Sequence, residues 1–140
     1  MNFVRTISLS NGVETIFSKG SNIFIGTQMG MFIYEMSSDG NLSYVSEYEH
    51  VVSCDPVVAD ADYAYVTLRS GTWCEGFTNQ LDLIDITDLT NPVLEKTFNM
   101  DNPHGLSIKG DNLYLCEGEF GLKTFDISDP MKLNRNKIDI

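Results

Sequence analysis

Apolar runs of four to six residues, broken by Gly, Asn, Asp and Pro, set the pattern of this chain. Two units recur along it. One is an apolar strand ending in an acid: Met31-Phe32-Ile33-Tyr34-Glu35, Leu81-Asp82-Leu83-Ile84-Asp85 and Leu122-Lys123-Thr124-Phe125-Asp126. The other is a turn leading into a strand: Gly20 to Ile25, Ala61 to Val66 and Gly110 to Leu115, with Phe24, Tyr65 and Tyr114 in the same place. Phe24 to Tyr65 is 41 residues and Tyr65 to Tyr114 is 49, while Glu35 to Asp85 is 50 and Asp85 to Asp126 is 41. Both series give a period of 41 with one insertion of eight or nine residues between Tyr65 and Asp85. Chance would not place one insertion consistently in two series.

Each unit divides into four short strands. The second copy predicts strands at about 56–60, 63–68, 80–86 and 93–98, and the third at about 105–109, 112–116, 121–127 and 132–140. Short β-rich runs bounded by turn residues, with no sustained helical period, indicate an all-β chain. About 40 residues per four-stranded unit is the size of a β-propeller blade. The expected fold is thus about three four-stranded antiparallel blades in one repeat region, 1–140. Residues 14–53 are the first blade, 54–101 the second with an inserted loop at 69–79, and 102–140 the third. Residues 1–13 carry Phe3-Val4-Arg5-Thr6-Ile7, which resembles the fourth strand Leu94 to Phe98 and reads as the outer strand of a neighbouring blade. The turns Asp85 to Pro92 and Asp126 to Pro130 use Asp and Ser or Thr to bond turn amides, and Pro to preset the exit.

These strand cores resemble the LVIVD-repeat family. Leu81 and Asp85 match the motif with apolar Leu83 and Ile84 between them, Leu122 to Asp126 and Met31 to Glu35 match more loosely, and the turn at 126–130 fits the same family. The resemblance runs from about residue 14 to 130. It implies a β-propeller and no particular reaction. Many family members resemble bacterial surface lipoproteins, which implies an extracytoplasmic or cell-surface location, although no lipobox cysteine is present here.

Propellers have typically four to eight blades, and closing the ring protects strand edges. Three blades therefore leave two readings open: a fragment of a longer propeller, or half of a six-bladed ring completed by a homodimer.

Charge narrows the partners. Twenty acidic residues against nine basic ones give a formal net charge of −11, a field that opposes nucleic-acid backbones. No apolar run approaches the roughly 20 residues of a membrane-spanning helix, and no signal peptide is visible. The partner expected is a protein, glycan or small ligand.

Function on a rigid scaffold usually sits on loops. Aligning the copies at the inner-strand entrance puts Glu14, Asp55 and His104 in equivalent places, 41 and 49 residues apart. Two carboxylates and an imidazole there make a possible divalent-metal set, and polar residues around a hydrated channel are expected without any ligand. The inserted loop reaches the same face with Arg69, Trp73, Cys74, Glu75 and Phe77, and Trp with Arg is a recognition composition. Glu117 and Glu119 would form an acidic rim. The candidate binding face is then Asp55, Arg69, Trp73, His104, Glu117 and Glu119.

The cysteines match no zinc signature. Cys54 and Cys74 fall on one face and make a possible disulfide, while Cys116 in an apolar strand reads as a buried free thiol. No catalytic motif is present, and a Cys54–His104 pair has nothing to activate it. The expected function is a non-enzymatic binding scaffold with no obligate cofactor. The alternatives are a metal-dependent enzyme at the channel entrance and a purely structural module.

Overall fold

The computed structural model describes residues 1–9, 12–50, 56–71 and 78–136. Among the described residues, twelve strands build three separate sheets, each a four-stranded antiparallel meander. The first sheet holds β1 (Val13–Lys19), β2 (Asn22–Thr27), β3 (Gly30–Met36) and β4 (Leu42–Glu49). The second holds β5 (Val57–Ala59), β6 (Tyr63–Leu68), β7 (Gln80–Asp85) and β8 (Val93–Asn99). In the third, β9 (Leu106–Lys109), β10 (Asn112–Cys116), β11 (Leu122–Asp126) and β12 (Asn134–Asn136) follow the same order. The innermost strands are neighbours across the blades, with β5 beside both β1 and β9. This is the blade architecture that the repeat predicts, and the described strands do not close into a barrel.

Repeat-equivalent residues take equivalent geometry. A register shift falls between Ile33 and Tyr34 in the first blade and between Leu83 and Ile84 in the second, 50 residues on. Such a bulge bends the outer strand and strengthens its twist. The backbone bonds Met36 N to Ser21 O, Ile86 N to Asp62 O and Ile127 N to Asp111 O, at 2.7, 2.8 and 2.9 Å, tie the end of each third strand to the same hairpin turn. In the first and third blades that turn uses Gly20 and Gly110 at φ 59° and 56°. The second blade has Ala61 there, and the Asp60 carboxylate instead accepts from the amides of Asp62 and Tyr63.

The acidic turns close as their composition predicts. The Asp85 carboxylate accepts from the Thr87 amide and hydroxyl, and Asp126 accepts likewise from Ser128. These bonds hold both carboxyls below their ordinary value of 3.8, led by the side-chain hydroxyl in each case.

The core lies between blades. Phe24, Met31 and Ile33 of the first blade pack against Val57, Ala59, Ala64, Val66 and Ile84 of the second. The opposite face of the second blade sets Val58, Tyr65, Leu81 and Leu83 against Leu113, Leu115 and Phe125 of the third. With both faces covered, β6 and β7 are buried almost throughout, whereas the outer strand β8 is mostly exposed. That division explains why the second and third strands read as continuous apolar runs. At the start of β3, Gly30 has φ 153° and lies so close to the Tyr48 carbonyl that an added Cβ would stand 2.0 Å from its oxygen. Only glycine fits there.

One expectation changes, that for Cys116. Residues 1–9 form no strand and stay exposed except for Leu9, which packs on the outward face of the first blade with Ile23, Ile25, Phe32 and Tyr34. Cys116 is exposed rather than buried. It ends β10 opposite Leu122 on the outward face of the third blade, which no further described blade covers.

Candidate functional site

Three blades contribute to one cleft at the entrance of the inner strands. Its volume is about 160 Å³, and its lining is Glu14 and Thr15 from β1, Pro56 before β5, Arg69 after β6, and Pro103, His104 and Gly105 before β9. The repeat arithmetic that aligned Glu14 with His104 thus corresponds to a real convergence. Each residue sits where its blade's first strand enters the sheet.

Arg69 and His104 form the polar centre. The Arg69 guanidinium Nη1 lies 2.5 Å from His104 Nδ1 and 3.0 Å from Nε2. His104 is fixed from behind by its backbone: its carbonyl accepts from Thr67 Oγ1 at 3.0 Å, and its amide donates to the Cys116 carbonyl at 2.8 Å. Burial first, and the Arg69 charge second, push the imidazole below its ordinary value of 6.5. At neutral pH the ring is therefore uncharged and accepts from the guanidinium. Glu14 takes a bond from Gln28 Nε2 at 3.4 Å.

One titration follows from this geometry. The His104 ring resonances should shift with a midpoint below 6.5, and Arg69→Met should move that midpoint upward by removing the neighbouring charge. A folded-state value below the unfolded one means that the unfolded chain binds the proton more readily. The contribution is present above pH 6.5 and is lost as pH falls through the depressed value, which NMR titration with parallel urea melts would check.

Glu117 and Glu119, paired as an acidic rim by the sequence, separate sharply. Glu119 is exposed in a short 3₁₀ turn, Gly118–Phe120, whose Gly118 packs near Asn102 and His104. Glu117 is fully buried. Its carboxylate pairs with the Lys123 ammonium and accepts from the Asp101 amide at 3.4 and 3.3 Å. Lys123 also bonds Asp101 Oδ2 at 2.5 Å. This carboxylate belongs to the junction of the second and third blades and not to an open rim. The signal that could have exposed it is the charge at the second position of the motif strand. Lys123 there is equivalent to Asp82, which is also buried and bonds Gln80 and Thr97.

The remaining candidates, Asp55, Trp73, Cys54 and Cys74, lie outside the described residues, as do Glu75 and Phe77. Among the described residues no group of three or more His, Cys, Asp and Glu side chains is placed to hold a metal ion. Of the proposed metal set, Glu14 and His104 line the cleft, and the Arg69 guanidinium against the imidazole opposes a cation on that ring. Among the described residues, no helix is long and apolar enough to cross a membrane. Sequence reasoning missed four lining residues, Thr15, Gly105 and the apolar Pro56 and Pro103, of which the two prolines carry no charge or polar head to flag them.

A search of curated proteins finds no match to this chain. The family model described as LVIVD repeat matches residues 54–100 and 103–136, the second and third blades. The first blade, outside those matches, repeats their strand order and turn bond and shares the bulge position of the second blade. With more than half of its residues matched and three equivalent blades, the chain belongs to the LVIVD-repeat family.

Proposed function

We propose that this protein is a non-enzymatic binding scaffold that recognises a protein, glycan or small ligand at the inner-strand entrance. The observation that carries the reading is the cleft of about 160 Å³ to which all three blades contribute. Rigid strands position it, an Arg–His pair and a carboxylate give it polarity of both signs, and two prolines give it apolar walls. A concave site with a few placed polar groups on an apolar lining is the usual form of a ligand pocket. The described residues offer no activated nucleophile, and the depressed imidazole is occupied by a guanidinium instead of a carboxylate that would orient a base. The family membership and its resemblance to surface lipoproteins support an extracytoplasmic setting.

The test pairs the purified chain with an Arg69→Ala/His104→Ala variant on a glycan array and on an array of short peptides. Specific binding by the parent that the variant loses supports the scaffold. Binding indifferent to the substitutions, no binding to either array, or a stoichiometric divalent metal in elemental analysis of the folded chain overturns it. The metal result would favour the enzyme reading.

A further inference from the structure

At the end of the strands away from the Arg69–His104 cleft, the first two blades enclose a second cavity. Strand β1 meets the cleft with Glu14 and Thr15 and reaches this cavity with Lys19. The volume is about 200 Å³. Phe24 of the first blade and Ile86 of the second, both buried, form its apolar floor with half-buried Leu89. Lys19 and Asn22 stand at the rim on one side, and Asp60 and Thr87 on the other.

The repeat supplies a control for this cavity. Both junctions are tied at this end by the same cross-blade bond. Ser46 of β4 donates to the Leu89 carbonyl, and Lys96 of β8, 50 residues on, donates to the Met131 carbonyl. The side chains beneath the two bonds differ. In the second junction Tyr63 and Met131 pack against the core, and the Tyr65 hydroxyl reaches the Asp60 carboxylate at 3.1 Å. Their equivalents in the first junction, 41 residues earlier, are Asn22, Thr90 and Phe24. Asn22 is shorter than tyrosine, Phe24 lacks the hydroxyl, and Thr90 is exposed with its own hydroxyl bonded to Asp88. Three side-chain differences thus open at the first junction the space that packed groups take at the second. The wall is also preformed, because the Asp85 and Asp88 turn bonds fix the segment carrying Thr87 and Leu89. A ligand entering it orders little, which favours binding.

The lining selects the chemistry of that ligand. An apolar cavity of about 150 Å³ suffices for a benzene ring, so this one accepts a side chain of leucine or phenylalanine size. Opposite charges, Lys19 and Asp60, face the mouth from different blades. Among the described residues, neither the Lys19 ammonium nor the Asn22 carboxamide makes a hydrogen bond, so both keep donors for a carboxylate. Asp60 accepts from the Asp62 and Tyr63 amides on one oxygen and from Tyr65 on the other, which keeps a lone pair for an ammonium. An anion alone would also meet the acids of the adjoining turns, Asp62, Asp85 and Asp88, and an amine alone would meet the like charge of Lys19.

We propose that this cavity binds a free amino acid with an apolar side chain. Lys19 and Asn22 hold its carboxylate, Asp60 holds its ammonium, and the side chain rests on Phe24, Ile86 and Leu89. The site is separate from the inner-strand cleft, and neither reading requires the other.

Titrating L-phenylalanine and L-leucine into the isotope-labelled chain, followed by amide NMR, tests it. Saturable shifts are expected at Asn22, Ala61, Ile86 and Thr87. Phenethylamine and phenylpropionate, each with one of the two charges, should bind about tenfold more weakly, and L-phenylalanine should lose about as much on Lys19→Met. Asn22→Tyr, which installs the residue of the second junction, should abolish the shifts while far-UV circular dichroism is retained. Arg69→Ala/His104→Ala should leave them unchanged. No saturable shift, equal binding of the singly charged analogues, or binding indifferent to Lys19→Met or Asn22→Tyr overturns the proposal. Loss of the shifts in the Arg69→Ala/His104→Ala variant would place the binding at the cleft and overturn it equally.

Discussion

Lys123→Met is expected to destabilise the folded chain by about 3–5 kcal/mol, the usual cost of removing one partner of a buried ion pair. The substitution keeps an unbranched side chain one atom shorter and removes its charge. It leaves Glu117, which is fully buried, with only the long contacts from the Asp101 amide in place of an ammonium. A carboxylate in that position can regain neither water nor a cation without opening the junction of the second and third blades. Replacing both partners, as in Glu117→Met/Lys123→Met, should recover most of the loss, because no uncompensated charge then remains. Urea melts of the parent, single and double variants measure the difference. A single variant as stable as the parent would mean that Glu117 is hydrated in solution. A double variant no better than the single would mean that the loss comes from packing.

That ion pair also marks the limit of what the sequence makes legible. The blades are legible because a repeat supplies its own control: an insertion seen in two independent series, and turn residues that recur with the strands. Position within a blade therefore follows from arithmetic, and Glu14 and His104 meet in the cleft for that reason. Burial does not follow in the same way, since it depends on the neighbouring blade and on side chains reaching across from it. Glu117 and Glu119 are two residues apart in one loop, and the Lys123 ammonium arriving from β11, together with the Asp101 amide, separates their fates. Cys116 shows the same dependence. Its equivalent in the second blade, Thr67, is fully buried beneath a following blade, while Cys116 ends a blade whose outward face is open. Local hydrophobicity at the two positions gives no hint of the difference. The apolar lining by Pro56 and Pro103 escaped notice because a search for chemistry follows polar groups.

Phe24→Ala tests the junction of the first and second blades and is expected to cost about 3–5 kcal/mol, as for other fully buried aromatic truncations. Phe24 is 1% exposed, its ring tilted against Phe17 with centroids 6.5 Å apart, and it packs in the cluster shared with Val57, Ala59, Ala64, Val66 and Ile84. Those neighbours sit on rigid strands and cannot collapse into the space left behind, so the loss includes a cavity as well as transferred surface. In a repeat architecture, stability divides into the intrinsic stability of each unit and the interface between neighbours. Phe24 belongs chiefly to the interface. Its loss should therefore open the first blade before the other two: hydrogen exchange should accelerate across β1 to β4 while β6, β7 and β10 keep most of their protection. The urea slope should fall with it, since less surface is exposed in the main transition once one blade has detached. Val93→Ala, at a half-exposed position on outer strand β8, should change stability by no more than about 0.5 kcal/mol. Uniform acceleration of exchange across all three blades would refute the division, and would mean that the chain unfolds as one cooperative unit whose blades have no separate stability.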